Sequence, residues 1–91
     1  MVEFEYDPVK SASNLEKHGI DFDEAMELWN DRFMVEFELE CKGEKRFAAI
    51  ARYSGIVWFC VYTMRKNAIR IISVRRAVKG EVRLYDQQRN A

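Results

Sequence analysis

The spacing of apolar positions changes along the chain, and each change marks an element. Val2, Phe4 and Tyr6 alternate with Glu3 and Glu5, the period that gives a short strand one apolar face. Asp7-Pro8 then opens a helix: Asp accepts from free backbone N–H groups, and proline at the first helical position loses no hydrogen bond. This helix is expected over about Pro8 to His18, with Gly19 as its left-handed stop and Lys17 and His18 at the negative end of its dipole. A second helix follows at once. Asp21 caps it, Glu24 completes a box-like pair, and Phe22, Ala25, Met26 and Trp29 form a stripe that predicts Trp29 in the core. Asn30-Asp31 ends it.

The period then returns to two. Phe33, Val35, Phe37 and Leu39 alternate with Glu36, Glu38 and Glu40, which predicts a half-exposed strand with an acidic outer face. Cys41-Lys42-Gly43-Glu44 turns the chain into a strand from Lys45 to Tyr53, and Ser54-Gly55 turns it again. Ile56 to Tyr62 and Ile69 to Val74 are nearly continuous apolar runs, expected as central strands covered on both faces. Arg65-Lys66-Asn67-Ala68 joins them as a hairpin. From Val78 the period is helical, with Val82 and Tyr85 at i+4 and i+7, and the polar tail Asp86 to Ala91 follows. Helices and strands are segregated, so the expected class is α+β, with a mostly antiparallel sheet, two N-terminal helices and a C-terminal helix. There is no internal repeat and no linker.

Composition narrows this picture. A chain of 91 residues with 48% hydrophobic content predicts one domain over residues 1–91. No apolar run reaches the roughly 18 residues that a membrane helix needs, and Met1 to Glu5 lack the basic and apolar regions of a signal peptide. The expected location is the cytoplasm, with Cys41 and Cys60 as reduced thiols. One histidine, and no ligand pair at zinc spacing, predict neither metal nor cofactor.

Charge changes the picture most. Residues 1–44 hold 13 Asp/Glu and 4 Lys/Arg, while residues 45–91 hold 2 and 11, so the halves stand at −9 and +9 within a net charge of zero. Arg65, Lys66, Arg70, Arg75 and Arg76 lie on or beside the last hairpin, and no acidic residue occurs between Ile56 and Gly80. Such a split predicts a nucleic-acid surface built by the second half, or halves that neutralise each other within the fold.

Several blocks resemble one family. Asn14-Leu15-Glu16-Lys17-His18-Gly19 matches N-x-x-K-H-G, and Phe22-Asp23-Glu24-Ala25 matches F-x-x-A. Glu44-Lys45-Arg46-Phe47 matches E-x-R-F, and Tyr62-Thr63-Met64-Arg65 matches Y-T-x-R. Ile69 to Ala77 matches I-R-I-I-S-x-R-x-A, and Glu81 with Tyr85 fits E-x-x-x-Y. In this order, over nearly the whole chain, they resemble the BrnT toxins of BrnT/BrnA type II toxin–antitoxin systems. The resemblance implies a compact RelE-like fold, RNA cleavage that stops translation, and a BrnA-like ribbon-helix-helix antitoxin. Operator DNA would be contacted only through that antitoxin.

RNA cleavage without a metal needs a base for the 2′-OH, an acid for the leaving 5′-oxygen, and fixed cations for the charge of the transition state. Imidazole is the one side-chain type that ordinarily changes charge near neutral pH, and His18 is the only one present. It is the candidate acid or base, with Lys17 as a phosphate ligand, although Lys-His-Gly is equally a good helix ending. Arg65 and Arg75 are the candidate phosphate clamps, since guanidinium forks match phosphate oxygens in pairs. Strand parity puts Arg70 with Ile72 and Val74, and Arg75 with Ile71 and Ser73, unless the strand ends or bulges. The wider RNA-contacting set is Glu44, Arg46, Arg70, Arg76 and Tyr85. Each has a plainer reading: a strand-end pair between Glu44 and Arg46, a structural ion pair for Arg70, a solvated charge for Arg76, and a core position for Tyr85. The rival to a nuclease is a non-catalytic docking module or a toxin kept only for operon repression.

Overall fold

In the computed structural model, which describes residues 2–91, there are five strands: β1 (Glu3–Glu5), β2 (Val35–Leu39), β3 (Arg46–Tyr53), β4 (Ile56–Arg65) and β5 (Ala68–Arg76). Met1, where the expected domain begins, lies outside the described residues. The strands form one sheet in the order β1-β5-β4-β3-β2. β2 to β5 are an antiparallel meander, and β1 lies parallel to the start of β5. Turn chemistry sets the meander. Ser54 and Gly55 take φ of 54° and 78°, the mirror-image turn whose twist suits a two-residue hairpin, and Tyr53 therefore pairs with Ile56. At the next corner Lys66 takes φ 55° and Arg65 pairs with Ala68.

Helix α1 (Pro8–His18) starts where Asp7 Oδ1 accepts the Val9 N–H at 2.9 Å. It ends at Gly19, whose N–H still donates to the Leu15 carbonyl at 2.9 Å and whose φ of 79° turns the following chain out of the helix. Asp21 Oδ1 accepts the Glu24 N–H at 2.7 Å and opens α2 (Phe22–Ala25). This helix keeps α-helical geometry for only four residues and continues as a 3-10 segment, Met26–Asn30. The tighter winding corrects the expected stripe. Side chains three apart eclipse in a 3-10 helix, so Phe22, Ala25 and Leu28 are buried. Trp29 is only half-buried. It closes the rim of the core edge-on, 5.1 Å from the Phe4 ring and 5.3 Å from Tyr62. Helix α3 (Lys79–Arg89) ends the chain.

The sheet is covered on both faces, as the apolar runs of β4 and β5 require. One face packs Ala49, Ala51, Trp58, Cys60, Tyr62, Ile69, Ile71 and Val74 against Ile20, Phe22, Ala25 and Leu28. On the other, Ala48, Ile50 and Phe59 meet Tyr85 of α3. We call these the α1 face and the α3 face. Only Tyr85 of α3 is buried, so that helix covers part of its face and leaves Phe37 and Leu84 exposed. On β2, Phe37 belongs to the α3 face through its contact with Phe59. Glu36 and Glu38 therefore point to the α1 side at the sheet edge, where the Tyr62 hydroxyl donates to Glu36.

Candidate nucleic-acid interface

The arginines are sorted by a single irregularity. Ile71 pairs with Tyr62 and Ser73 with Val61, so Ile72 has no partner on β4 and β5 bulges there. An extra residue shifts side-chain parity by one. The separation of Arg70 from Arg75 expected from simple alternation is thereby corrected. Ile69 and Ile71 before the bulge, and Val74 after it, all face α1, which leaves Arg70, Ser73 and Arg75 together on the α3 face. Alternation along β3 and β4 adds Arg46 and Arg65 to that face. Arg76 points the other way, its guanidinium 6.0 Å from the Trp58 ring centre.

These arginines form a track, not a pocket. Arg65 lies at the hairpin end and Arg75 opposite Phe59; six residues of β4 separate those positions, about 20 Å at the rise of a strand. The acidic first half supplies partners that the local sequence lacks. Arg65 meets Glu44 at 3.6 Å and Arg70 meets Glu5 at 3.3 Å. Glu44 lies outside β3 and pairs with Arg65, not with Arg46 as strand parity had suggested. The Arg65–Glu44 pair is half exposed, the kind of contact that contributes about 0–1 kcal/mol. Arg46 has no acidic partner within salt-bridge distance among the described residues.

Arg75 is the most firmly placed. Its Nη1 and Nη2 donate to the two Glu81 carboxylate oxygens at 2.8 and 2.9 Å, and its guanidinium lies 4.3 Å from the Phe59 ring centre. The hydrogen bonds to Glu81 raise the Arg75 pKa, and those from Arg75 hold the Glu81 carboxyl below its usual value. Glu81 Oε1 also accepts the Val78 N–H at 2.9 Å. One carboxylate thus caps α3 and fixes a guanidinium over an aromatic ring.

Lys17 and His18 are exposed at the end of α1. They line a cleft of about 220 Å³ together with Lys10, Ser13, Asn14, Ile72 and Ser73. The bulge therefore touches both groups: Ile72 and Ser73 border this cleft at the β5 edge, and Ser73 stands between Arg70 and Arg75 on the α3 face. The motif residue Asn14 is buried. Its Nδ2 donates to the Ile20 and Val74 carbonyls at 2.8 and 2.9 Å, and its Oδ1 accepts the Val74 N–H at 3.2 Å. β1 ends at Glu5, so on the side away from β4 the strand β5 has no strand neighbour beyond Arg70; the Asn14 amide takes that place. Sequence reasoning passed over Asn14, Lys10, Ser13 and Ser73. The position of Asn14 inside the N-x-x-K-H-G block was the available signal.

Tyr85 is 2% exposed, and its hydroxyl donates to Asp31 Oδ2 at 2.7 Å. Burial and the Asp31 carboxylate push its pKa up to about 12, so it is a neutral phenol at physiological pH. Asp31 also accepts the Phe33 and Arg52 N–H groups at 2.9 and 2.8 Å. Burial opposes its charge, but these hydrogen bonds outweigh it and hold the carboxyl below its usual value.

The protein is thus of the small α+β class, a five-stranded sheet with one partly open face lined by arginines. Compared with protein families, residues 6–81 match the model of the ribonuclease toxin, BrnT, of type II toxin–antitoxin systems. The chain belongs to the BrnT family. The search of curated proteins found no match. No helix among the described residues is long and apolar enough to cross a membrane.

Proposed function

We infer that this protein is a metal-independent endoribonuclease of RelE-like fold that stops translation in the cytoplasm. We further infer that it is held silent by a BrnA-like ribbon-helix-helix antitoxin, which carries the complex to operator DNA. The observation that carries this reading is the Ile72 bulge. It turns Arg70 and Arg75 to one face with Arg46 and Arg65, and brings Ser73 to the cleft of Lys17 and His18. RNA phosphates follow the arginine track, and the reacting phosphate sits beside Ser73. His18 takes the 2′-OH proton while solvent water protonates the leaving 5′-oxygen, or His18 protonates the 5′-oxygen while water takes the 2′-OH proton, and Lys17 and Arg75 steady the extra negative charge on phosphorus. The P–O bond to the 2′-oxygen forms as the P–O bond to the 5′-oxygen breaks, which leaves a cyclic phosphate and a free 5′-hydroxyl. Arg65, Arg46 and Arg70 bind the flanking chain, with Glu44 releasing Arg65 to phosphate. Arg76 lies off the track, and Tyr85 supports it from inside.

The test is cleavage of a defined RNA in EDTA by wild type, His18→Ala and Arg75→Ala. Activity in EDTA that both substitutions remove is expected; activity restored only by added metal refutes the mechanism. A docking module that breaks no bond is the second reading, and the internal pairing of Arg65, Arg70 and Arg75 favours it. Binding of RNA without cleavage would establish it.

A further inference from the structure

A second cleft, larger than the one at Lys17 and His18, lies away from those residues. It measures about 520 Å³, within the range of small-ligand sites. The end of the 3-10 segment, the β3–β4 turn and the C-terminal end of α3 form its walls. We propose that it is a nucleotide subsite, which holds one base and phosphate of the RNA away from the cut bond and sets sequence preference.

The acids and the cations of the cleft differ in how firmly the protein itself holds them. Asp31, on its floor, accepts three hydrogen bonds from Tyr85 and from the Phe33 and Arg52 amides. Glu27 accepts the Asn30 side-chain amide at 2.6 Å. The acids are thus engaged within the protein. The cations are held more loosely: Arg52 is exposed, its guanidinium 5.9 Å from the Tyr85 ring centre and with no acidic partner within salt-bridge distance among the described residues, and Arg89 meets only Asp86, at 3.7 Å. Two available guanidiniums beside aromatic rings are what a nucleotide needs, cation for phosphate and ring for base. Tyr53 supplies a half-buried ring at the end of β3, packed on one side against the α1-face core, with its hydroxyl 3.3 Å from Glu24 Oε1. An acidic peptide would use the arginines and leave that ring idle, so RNA is the occupant favoured. The cleft also lies next to the track. Arg52 pairs with Val57, two residues along β4 from Phe59, the ring that Arg75 covers; that is about 7 Å along the strand.

The subsite rests on the reading of this protein as an RNA-cleaving enzyme, and one experiment separates the two. Wild type, Arg52→Ala/Arg89→Ala and Arg75→Ala are compared on a mixed-sequence single-stranded RNA, with cut positions mapped and kcat and KM measured. Arg52 bonds Asp31 through its backbone, so Arg52→Ala keeps that contact, and equal melting temperatures verify the fold. The double variant is expected to raise KM at least fivefold and to spread the cuts over more sequences with kcat little changed. Arg75→Ala is expected to lose kcat. An unchanged KM and cut map in the double variant overturns the subsite and leaves the nuclease reading intact. No cleavage by wild type overturns that reading instead; binding is then read by titrating the four ribonucleoside 5′-monophosphates against the Arg52 to Gly55 amides by NMR. Shifts there that the double variant abolishes retain the subsite, and none refutes it. Loss of antitoxin binding by the double variant, with RNA cleavage unaltered, assigns the cleft to protein and likewise refutes it.

Discussion

Asn14 and Val74 are joined by two hydrogen bonds across 60 positions of chain, one to the Val74 carbonyl and one from its N–H. The side-chain amide stands in for a strand that ends too early, directly after the bulge that orients the arginines. Asn14→Ala strands two buried backbone groups of β5 and the Ile20 carbonyl, each at a cost of about 1–3 kcal/mol. A loss of at least about 2 kcal/mol is expected in urea unfolding. A variant within about 0.5 kcal/mol of wild type, the usual range of an innocuous surface change, would show that Asn14 does not hold this edge.

Arg75 presents a planar fork fixed by Glu81 and Phe59. If the fork stabilises the transition state, Arg75→Ala lowers single-turnover cleavage by about 100-fold or more, the scale for removal of one preorganised donor. Arg75→Lys should recover little of it, because an ammonium keeps the charge and loses the two-point geometry. Full activity in the lysine variant would reduce Arg75 to a general positive charge.

The track predicts a definite salt dependence. Three or four neutralised phosphates on single-stranded RNA give a slope of log affinity against log salt of about −2 to −3. Arg46, which has no internal acidic partner, should contribute one unit of that count, so Arg46→Ala makes the slope shallower by about 0.7. Fluorescence anisotropy with a labelled RNA measures both. A flat response contradicts a phosphate-tracking face.

Acid should loosen α3. The Asp31 and Glu81 carboxyls are both held below their ordinary values in the folded protein. Each therefore contributes stability that is present above the unfolded carboxylate value, about 4, and is lost as pH falls through the lowered folded value. Melting temperature should drop below about pH 4, and less steeply for Asp31→Asn and Glu81→Gln than for wild type. Parallel curves for all three would remove these two groups from the acid transition.

An antitoxin that silences the enzyme by covering the track must use the arginines that RNA uses. Arg75→Glu is expected to lose RNA cleavage and antitoxin binding together, while Glu38→Lys, on the far side of the edge strand β2, loses neither. Co-purification with the antitoxin and a cleavage assay report the two properties. Antitoxin binding that fails in Glu38→Lys and survives in Arg75→Glu would move the shared surface to β2.

Much of the local structure was legible in the residues. Asp7-Pro8 and Gly19 bound α1 because capping and left-handed φ are local properties. Ser54-Gly55 makes its turn for the same reason, and the alternation of Phe33 to Leu39 marks a half-exposed strand without reference to any neighbour. The basic character of the last hairpin was equally visible, since charge is additive along a chain. The tertiary structure alone decided how that charge is used. Ile71-Ile72-Ser73-Val74 carries an aliphatic residue on both parities, so no sequence period reveals which residue β4 leaves unpaired, and that one residue determines the face of Arg75. The 3-10 tightening after Ala25 is another such case: both windings bury Phe22 and Ala25, and only packing against the sheet chooses Leu28 over Trp29. Glu5, Glu44 and Glu81 lie at different distances in sequence from Arg70, Arg65 and Arg75. The pairing of β1 with β5 brings Glu5 to Arg70, the pairing of β3 with β4 brings Glu44 to Arg65, and the turn into α3 brings Glu81 to Arg75.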